Sequence, residues 1–361
     1  MTSKALDLVL KLGAGVWIEK GAGLEAGIPD SEYEAKGAHC AASPDEVLGN
    51  AQLILFVRAP APQGITSRHT LIGFADPLSE PQRAAAIAET GATLFAVELI
   101  PRITRAQSMD ALSSMASIAG YKAALLAAYE LPRMFPMMMT AAGTIPAARV
   151  LVIGAGVAGL QAIATARRLG GVVTGYDIRS EVRQQIESLG ARFLVISLEG
   201  AKTQGEGGYA RALTEEDYRS QREQMTAAFK EQDVVITTAA VPGRRAPILV
   251  TKEMVHAMVP GSVIVDIAAE RGGNCELTRP GETVVENGVS VLGPLNLPST
   301  VPYHASQMYA RNLAAFLKII VKDGSLTIDG GDEIVRETLV TQAGKVVHPK
   351  VQALLDTAVK A

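Results

Sequence analysis

Short apolar runs alternate with longer helical patterns along this chain. In its first hundred residues, apolar runs predict strands at residues 15–18, 52–57, 70–74 and 93–97. Helical patterns lie between them at residues 6–12, 45–50 and 80–90. Strands that alternate with helices are typical of an α/β domain with a parallel sheet. We therefore predict that the chain begins with such a domain.

A second set of apolar runs follows a long helical pattern at residues 106–133 and a hinge-like link at Gly143-Thr144-Ile145-Pro146. These runs predict a six-stranded, doubly wound sheet. Its strands are expected at residues 150–153, 172–173, 192–196, 234–237, 262–266 and 289–292. The polar, glycine-dotted segment 200–224 predicts a mobile loop. A helix predicted at residues 303–321 then leads the chain back toward the first domain.

One run carries the most specific motif. An apolar strand enters Gly154-Ala155-Gly156-Val157-Ala158-Gly159, a helix follows at once, and a second apolar run ends on Asp177. Gly154 permits a tight turn, Gly156 lets the backbone approach a pyrophosphate, and Gly159 lets helix and strand pack closely. The helix N-terminus attracts phosphate, and an acid about 20 residues on accepts from ribose hydroxyls. The motif predicts a bound dinucleotide; a Rossmann-like unit that binds none is the alternative.

The acid at the second strand end also bears on which dinucleotide binds. Asp177 should repel a 2′-phosphate and accept from a 2′-hydroxyl, which favours NAD(H). Arg179 could in principle contact a phosphate, so NADP(H) stays the alternative. The adjoining Ala155, Val157 and Ile178 are included in the predicted nucleotide contact.

These patterns together predict two Rossmann-like α/β domains. A doubly wound, parallel-sheet NAD-binding domain at residues 136–304 is inserted into a discontinuous, flavodoxin-like α/β domain at residues 1–135 and 305–361. Segments 237–243 and 266–274 follow the fourth and fifth strands of the inserted domain, where ligands of such sheets bind. They are predicted walls of the nicotinamide side; ordinary small-residue loops are the alternative.

Composition and charge exclude several other classes. The 361 residues are 48% hydrophobic and 20% charged with a net charge of −3, so no basic surplus points to nucleic acid or an anionic membrane. The longest apolar stretches, such as residues 123–128 and 136–145, are shorter than the ~20 residues of a membrane span. Two cysteines without metal-type spacing favour a reducing, cytoplasmic setting. Five scattered histidines predict no metal site.

A second polar string, residues 101–114 (PRITRAQSMDALSS), follows a strand and opens a helix. If the helix begins near Arg105, then Gln107, Asp110 and Ser114 share one face. Such a face could hydrogen-bond a nicotinamide amide and orient its ring. A capped, solvated helix start fits the same string equally well.

Four strings resemble one family: PRITRAQSMDALSS, FPMMMTAAGT, GAGVAGLQAIATA and DIAAERGGNCE. They are similar to the NAD(H)-binding component of proton-translocating NAD(P) transhydrogenase, in a family that includes alanine dehydrogenase. The resemblance implies direct hydride transfer between NAD(H) and NADP(H) held on a partner subunit, coupled to proton movement through a membrane-spanning subunit. It also implies a homodimer that is cytoplasmic and peripheral to the inner membrane.

The resemblance assigns roles to individual residues. Arg102, Gln107 and Asp110 match the loop that positions the dihydronicotinamide, and Ser113 matches a hydroxyl that contacts its amide. Asp177 and Arg179 match the pair at the adenosine ribose. The remaining implied nucleotide contacts are the loop residues Ile103, Thr104, Ser108 and Met109, the mobile-loop residues Gly208, Tyr209 and Gln221, and the backbone at Ala240.

The chain also departs from its relatives. Alanine dehydrogenase has a catalytic lysine and histidine where this chain has Phe56 and Phe74, and a catalytic aspartate where it has Glu270. Without that pair, amino-acid oxidation has no general acid or base. An autonomous alanine dehydrogenase-like enzyme and an inactive NAD-binding protein are the alternative functions.

Relatives begin with a strand and a Lys-Glu segment, whereas this chain starts inside the first helix, so we expect a truncated start or a missing first strand.

Overall fold

The computed structural model describes residues 2–196, 219, 224–241 and 243–360. The chain divides into two compact units, one formed by Met1–Met115 with Val301–Ala361 and the other by Ala116–Thr300. The helices are α1 Ser3–Leu10, α2 Asp30–Glu34, α3 Pro44–Asn50, α4 Pro81–Glu89, α5 Ala111–Glu130, α6 Val157–Arg168, α7 Arg183–Ser188, α8 (described over 224–229), α9 Lys252–Ala257, α10 Pro302–Ile320, α11 Glu333–Thr338 and α12 Pro349–Lys360.

The strands are short, as expected for α/β units. They are β1 Trp17–Glu19, β2 His39–Ala41, β3 Leu53–Arg58, β4 Thr70–Phe74, β5 Thr93–Ala96, β6 Met138–Thr140, β7 Gly143–Ile145, β8 Arg149–Ile153, β9 Val172–Tyr176, β10 Arg192–Phe193, β11 Val234–Thr237, β12 Val263–Asp266, β13 Thr283–Glu286, β14 Val289–Leu292, β15 Val321–Lys322, β16 Ser325–Leu326, β17 Leu339–Gln342 and β18 Lys345–Val346.

The sheet of the first unit has the order β18-β17-β5-β4-β3. Strands β3, β4 and β5 are parallel, whereas β17 pairs antiparallel with β5 and β18 antiparallel with β17. The predicted parallel sheet is therefore a mixed one, because the C-terminal segment supplies its last two strands. The strand expected at residues 15–18 lies outside it, since β1 pairs only with β2 in a separate two-stranded sheet.

The sheet of the second unit has seven strands in the order β10-β9-β8-β11-β12-β14-β13. All neighbours are parallel except β13, which runs antiparallel to β14. The six predicted strands are present, and the doubly wound architecture is confirmed. The added strand β13 lies at the sheet edge with every residue exposed or half-buried, so it lacks the apolar run that identifies an interior strand.

The predicted helix at residues 106–133 is wrong at its start. Thr104–Met109 forms a 3₁₀ helix, Asp110 has ψ +83°, and the α-helix α5 begins only at Ala111. Gln107 and Ser114 therefore belong to different helices, and the expected shared face of Gln107, Asp110 and Ser114 does not exist.

Helix α5 has the length and composition of a membrane span, with 20 residues and a mean hydropathy of 1.2. Sequence inspection missed this because serine, glycine and lysine interrupt the apolar run. Core helices of soluble proteins share this property, and Ala123, Ala124 and Ala127 of α5 lie in the core of the second unit. The feature is weak support for a membrane location.

The predicted link at residues 143–146 is instead mostly a strand. Gly143–Ile145 forms β7 and pairs antiparallel with β6, so the segment is one arm of a hairpin. Both strands of the hairpin are exposed along their whole length. The sequence suggested a hinge because the segment is Gly-Thr-Ile-Pro, and a glycine and a proline this close together are typical of a turn or link.

Candidate functional site

The glycine turn after β8 meets the steric demands of the motif. Gly154 has φ +99°, and a Cβ there would lie 2.6 Å from Thr238 Oγ1. A Cβ on Gly159 would lie 1.7 Å from the carbonyl oxygen of Gly154, so helix α6 and the turn touch at this point. At Gly156 an added Cβ would meet no atom of the described residues within 4 Å. Two of the glycines are thus needed for packing, while the third borders open space.

Open space beside Gly156 coincides with the beginning of helix α6. Gly156 is its N-cap, and no side chain caps it there. The first N–H groups of a helix have no partner within that helix and carry positive partial charge. The turn can therefore accept a pyrophosphate, as the fold of the motif requires.

Asp177 lies at the end of β9, buried against the same turn. Its Oδ2 accepts from the backbone N–H of Ala155 at 2.7 Å. The Arg179 side chain forms an ion pair with the carboxylate, with Nε 2.9 Å from Oδ1 and Nη2 2.9 Å from Oδ2. The half-buried Ile178 lies between them in the chain and packs on the adjacent core. The predicted acid is thus held beside the glycine turn.

The two segments that follow β11 and β12 are joined by Asn274. This buried side chain accepts from Ala239 N at 3.0 Å and donates to Ala239 O at 2.8 Å and Pro247 O at 2.9 Å. Asp266, fully buried at the end of β12, accepts from the N–H groups of Ala268 and Asn274 and from Thr278 Oγ1. Asn274 and Asp266 therefore serve as internal braces.

Ala240 is exposed just past the braced residue Ala239. Of the other predicted contacts, Val157 is exposed at the first turn of α6 and Ala155 is buried beneath it. Gly208, Tyr209 and Gln221 lie outside the described residues.

In the first unit, a small pocket of about 180 Å³ gathers the predicted loop residues. It is lined by Pro101, Arg102, Ile103, Gln107, Asp110 and Ser113. Ser113, implied by the resemblance, lines this pocket, whereas Ser114 of the helical-face argument does not. Thr104 and Ser108 are exposed, whereas Met109 is a buried core residue.

Asp110 has a structural role at this pocket. Its Oδ1 accepts from the backbone N–H of Ser113 at 2.8 Å, and its Oδ2 accepts from the Ser113 hydroxyl at 2.6 Å. These contacts cap the N-terminus of α5 in the manner typical of aspartate. The capped helix start left open by the sequence is therefore real, and it also fixes the orientation of two pocket-lining side chains.

Two contacts hold the loop from the C-terminal segment, and sequence reasoning found neither. Arg105 donates to Asp332 through Nη1 and Nη2 at 2.9 and 2.7 Å, and Asn312 Nδ2 donates to the carbonyl of Ser108 at 2.9 Å. The hydrogen bond from Arg105 lowers the pKa of Asp332 to about 2. More than 200 residues separate the partners in each pair, so no local pattern signals them.

Glu98, just before the loop, was also missed. One of its carboxylate oxygens, Oε1, accepts from Ala75 N at 2.9 Å and from Asp76 N. The other, Oε2, is buried without a hydrogen-bond partner among the described residues. Burial raises the pKa of this carboxyl from its ordinary 4.5 to about 7. The only sequence signal was a lone acid within the apolar run Ala-Val-Glu-Leu-Ile.

The raised pKa makes stability depend on pH in an unusual direction. Between pH 4.5 and 7 the folded state holds more protons at Glu98 than the unfolded state, so stability falls as the pH rises. Because glutamine does not titrate, Glu98→Gln should abolish this fall in the unfolding free energy, which amounts to at most about 3 kcal/mol. Urea unfolding at pH 4.5, 6 and 7.5 measures the difference, with Glu89→Gln, an exposed helix residue, as the control. Equal pH slopes for wild type and Glu98→Gln would refute the assignment.

The strand ends near Glu98 carry an aromatic cluster. Phe74 stacks on Tyr309 with ring centroids 5.1 Å apart, and the Tyr309 hydroxyl donates to the carbonyl oxygen of Phe56 at 2.7 Å. Burial, reinforced by Glu98, raises the pKa of Tyr309. A proton-exchanging side chain is thus absent at residues 56 and 74. In the second unit, Glu270 accepts from Asn296 N at 2.6 Å.

These features define a two-unit α/β protein with a dinucleotide-type glycine turn and a separate polar loop. Two family models match it: alanine dehydrogenase/PNT, N-terminal domain, over residues 1–119, and alanine dehydrogenase/PNT, C-terminal domain, over residues 123–349. The chain belongs to the alanine dehydrogenase/PNT family. With the glycine turn and Asp177, this membership makes it an NAD(H)-binding protein of the oxidoreductase type.

Several relatives are similar over nearly the whole chain. An NAD(P) transhydrogenase subunit alpha polypeptide of Rhodospirillum rubrum is 46% identical, covering 97% of this chain and 94% of the relative. The corresponding polypeptide of Rickettsia prowazekii is 42% identical, covering 96% and 92%. A crystal structure of transhydrogenase from Sinorhizobium meliloti is 44% identical, covers 96% and 94%, and superposes with a TM-score of 0.84. The chain is therefore homologous to a transhydrogenase subunit.

Proposed function

We propose that this chain is the NAD(H)-binding component of a proton-translocating NAD(P) transhydrogenase. In this proposal, hydride passes directly between NADH on this chain and NADP⁺ on a partner subunit, and a membrane-spanning subunit couples the transfer to proton movement. The chain would then lie on the cytoplasmic side of the membrane, held there by its partners. The transhydrogenase relatives support this role.

The phenylalanines at positions 56 and 74, the second of which is stacked on Tyr309, carry the proposal. Oxidation of an amino acid requires groups that accept and donate protons beside the reacting carbon. Alanine dehydrogenase has a lysine and a histidine at the first two of these positions, whereas here a phenylalanine ring is stacked on a tyrosine. Hydride exchange between two nicotinamides needs no such groups, because orientation at close distance is sufficient.

The chain's own residues would divide the work in two. The turn at Gly154, Gly156 and Gly159 would hold the pyrophosphate, and Asp177 would select the unphosphorylated adenosine ribose. The loop around Arg102, Gln107, Asp110 and Ser113 would orient the nicotinamide. The contacts from Asp332 and Asn312 hold this loop with side chains of the protein itself, which is the preorganisation that positioning requires.

One mixing experiment tests the proposal. The purified chain is combined with an NADP(H)-binding transhydrogenase component, and hydride transfer from NADH to an NADP⁺ analogue is followed by absorbance. We expect transfer that depends on both proteins, and no alanine-dependent NADH formation by the chain alone. Absence of transfer together with alanine oxidation would favour the dehydrogenase alternative.

We further propose that the chain forms a homodimer through the hairpin β6–β7. Met137 and Met139 are 61% and 78% exposed there, Ile145 is 42% exposed, and Tyr129 at the end of α5 is 84% exposed. Exposed apolar side chains that gather on one hairpin are typical of protein interfaces. The flexible, polarisable methionine side chain suits such a surface.

Met139→Glu should therefore weaken dimerisation at least about tenfold, because it places a charge in a desolvated interface. Sedimentation velocity over a concentration series measures the change. Leu24→Glu, which alters a largely exposed apolar residue of the first unit, is the matched control and should leave the dimer unchanged. A dimer that tolerates Met139→Glu would show that the hairpin is not its interface.

A further inference from the structure

The carboxylate of Asp177 has no acceptor position to spare. A carboxylate offers about four lone-pair sites on its two oxygens. Here Oδ1 accepts from Arg179 N and Arg179 Nε, both at 2.9 Å. Oδ2 accepts from Ala155 N at 2.7 Å and Arg179 Nη2 at 2.9 Å. All four sites are therefore filled by donors of the protein itself.

Two of these four donors differ from the other two. The N–H groups of Ala155 and Arg179 belong to the backbone beside the glycine turn and β9, and they orient the carboxylate. Nε and Nη2 of Arg179 belong to a side chain and form a fork across both oxygens. Two neighbouring ribose hydroxyls would approach the same two oxygens as a pair of donors. The Arg179 guanidinium and the ribose hydroxyls would therefore compete for the same acceptor positions on Asp177.

We infer that the Arg179 guanidinium, which the family resemblance had suggested as a direct ribose contact, is instead an internal stand-in for the adenosine ribose hydroxyls, and that NAD(H) must displace this guanidinium in order to bind. Arg179 thereby lowers the affinity for the nucleotide and favours its release, and it keeps Asp177 paired while the site is empty. The inference rests on the proposed ribose-binding role of Asp177.

Burial makes it unfavourable to separate the Arg179 guanidinium from the Asp177 carboxylate. The side chains of Arg179 and Asp177 are only 13% and 6% exposed, so solvent screens their attraction little. Arginine stays protonated at any working pH. Its side chain can therefore leave Asp177 only by moving away, since it does not lose its proton. An unpaired buried aspartate would be unfavourable, so the pairing with Arg179 stabilises this carboxylate whenever no nucleotide is bound.

The test compares two simple probes, ADP and 2′,3′-dideoxy-ADP, which differ only in the ribose hydroxyls. Arg179→Gln should raise the affinity for ADP roughly three- to tenfold in calorimetry, because the competing fork is gone. Its affinity for dideoxy-ADP should stay unchanged. Arg183→Gln is the matched control: Arg183 pairs with Glu187 on an exposed helix face, and its loss should alter neither affinity. Arg179→Lys, which cannot bridge both oxygens, should shift ADP binding in the same direction by less.

A loss of ADP affinity in Arg179→Gln and Arg179→Lys, or no change, would overturn the displacement. Asp177→Ala separates this failure from failure of the ribose assignment. If Asp177→Ala weakens ADP but not dideoxy-ADP, Asp177 binds the ribose, and only the role of Arg179 is in question. If Asp177→Ala leaves ADP binding unchanged, the ribose assignment fails and the inference about Arg179 fails with it. Thermal unfolding of each variant confirms that the measured protein is folded.

Discussion

Gly156→Ala is expected to weaken NADH binding at least about tenfold while leaving the unfolding free energy within about 1 kcal/mol of the wild type. The backbone at Gly156 has φ −74°, which alanine adopts without strain, and its added Cβ would meet no atom within 4 Å in the part of the chain that the structure describes. The new methyl group would instead occupy the open space into which the pyrophosphate is proposed to fit. Fluorescence titration with NADH and urea unfolding measure the two quantities.

Gly159→Ala, three residues away, should behave in the opposite way. Its Cβ would lie 1.7 Å from a backbone carbonyl that cannot rotate aside, so the turn or helix α6 must shift. We expect a loss of stability of about 3 kcal/mol or more. Gly49→Ala, in a helix with open space around it, is the control and should not destabilise the protein. Equal stability losses at Gly156 and Gly159 would contradict this division between binding and packing.

Gln107→Asn should slow hydride transfer by about a hundredfold and change the NADH dissociation constant less than about threefold. Gln107 lines the loop pocket on a 3₁₀ helix that Arg105 and Ser108 tie to the C-terminal segment. Because the backbone is held, removing one methylene shortens the reach of the amide and the loop cannot compensate. Single-turnover transfer rates and NADH titrations measure the two effects, with Gln82→Asn on the exposed side of α4 as the control.

The cap at Asp110 supplies a second readout for the same loop. Asparagine caps helices as well as aspartate does, so Asp110→Asn should keep the stability, whereas Asp110→Ala should cost about 1 kcal/mol. If both substitutions slow transfer alike despite this difference, the carboxylate itself acts on the nicotinamide. If only the less stable Asp110→Ala slows transfer, Asp110 acts only as a helix cap, and the other pocket residues position the nicotinamide.

Interior strands and the glycine motif were predictable because their constraints are local. Strands β8, β9, β11 and β12 are buried along most of their length, and a continuous apolar run identifies such strands at sight. The edge strand β13 escaped because its residues are exposed or half-buried. The hairpin β6–β7 was not predicted for the same reason. Its run of methionines is apolar in the sequence and suggests a buried segment, although the strands are exposed.

The loop at residues 101–110 shows where local reasoning stops. Its string fits an α-helix from Arg105, yet the chain forms a 3₁₀ helix and breaks at Asp110. A bidentate contact between Arg105 and Asp332 and a hydrogen bond from Asn312 to Ser108 hold this conformation. Asp332 and Asn312 lie in the C-terminal segment, so only the assembled unit can form these contacts.

By itself, the sequence determined the two-sheet α/β class, the glycine turn and the acid at the end of β9, because steric exclusion at glycine and the burial of apolar runs act within a few residues. Tertiary structure alone decided that the Ala155 N–H reaches the carboxylate of Asp177, how the loop before α5 is shaped, and that Glu98 is buried with one oxygen unpaired among the described residues. Each of these depends on distances between groups that the chain brings together only when folded. Hydrogen bonds and desolvation act at such distances, and no spacing along the sequence records them.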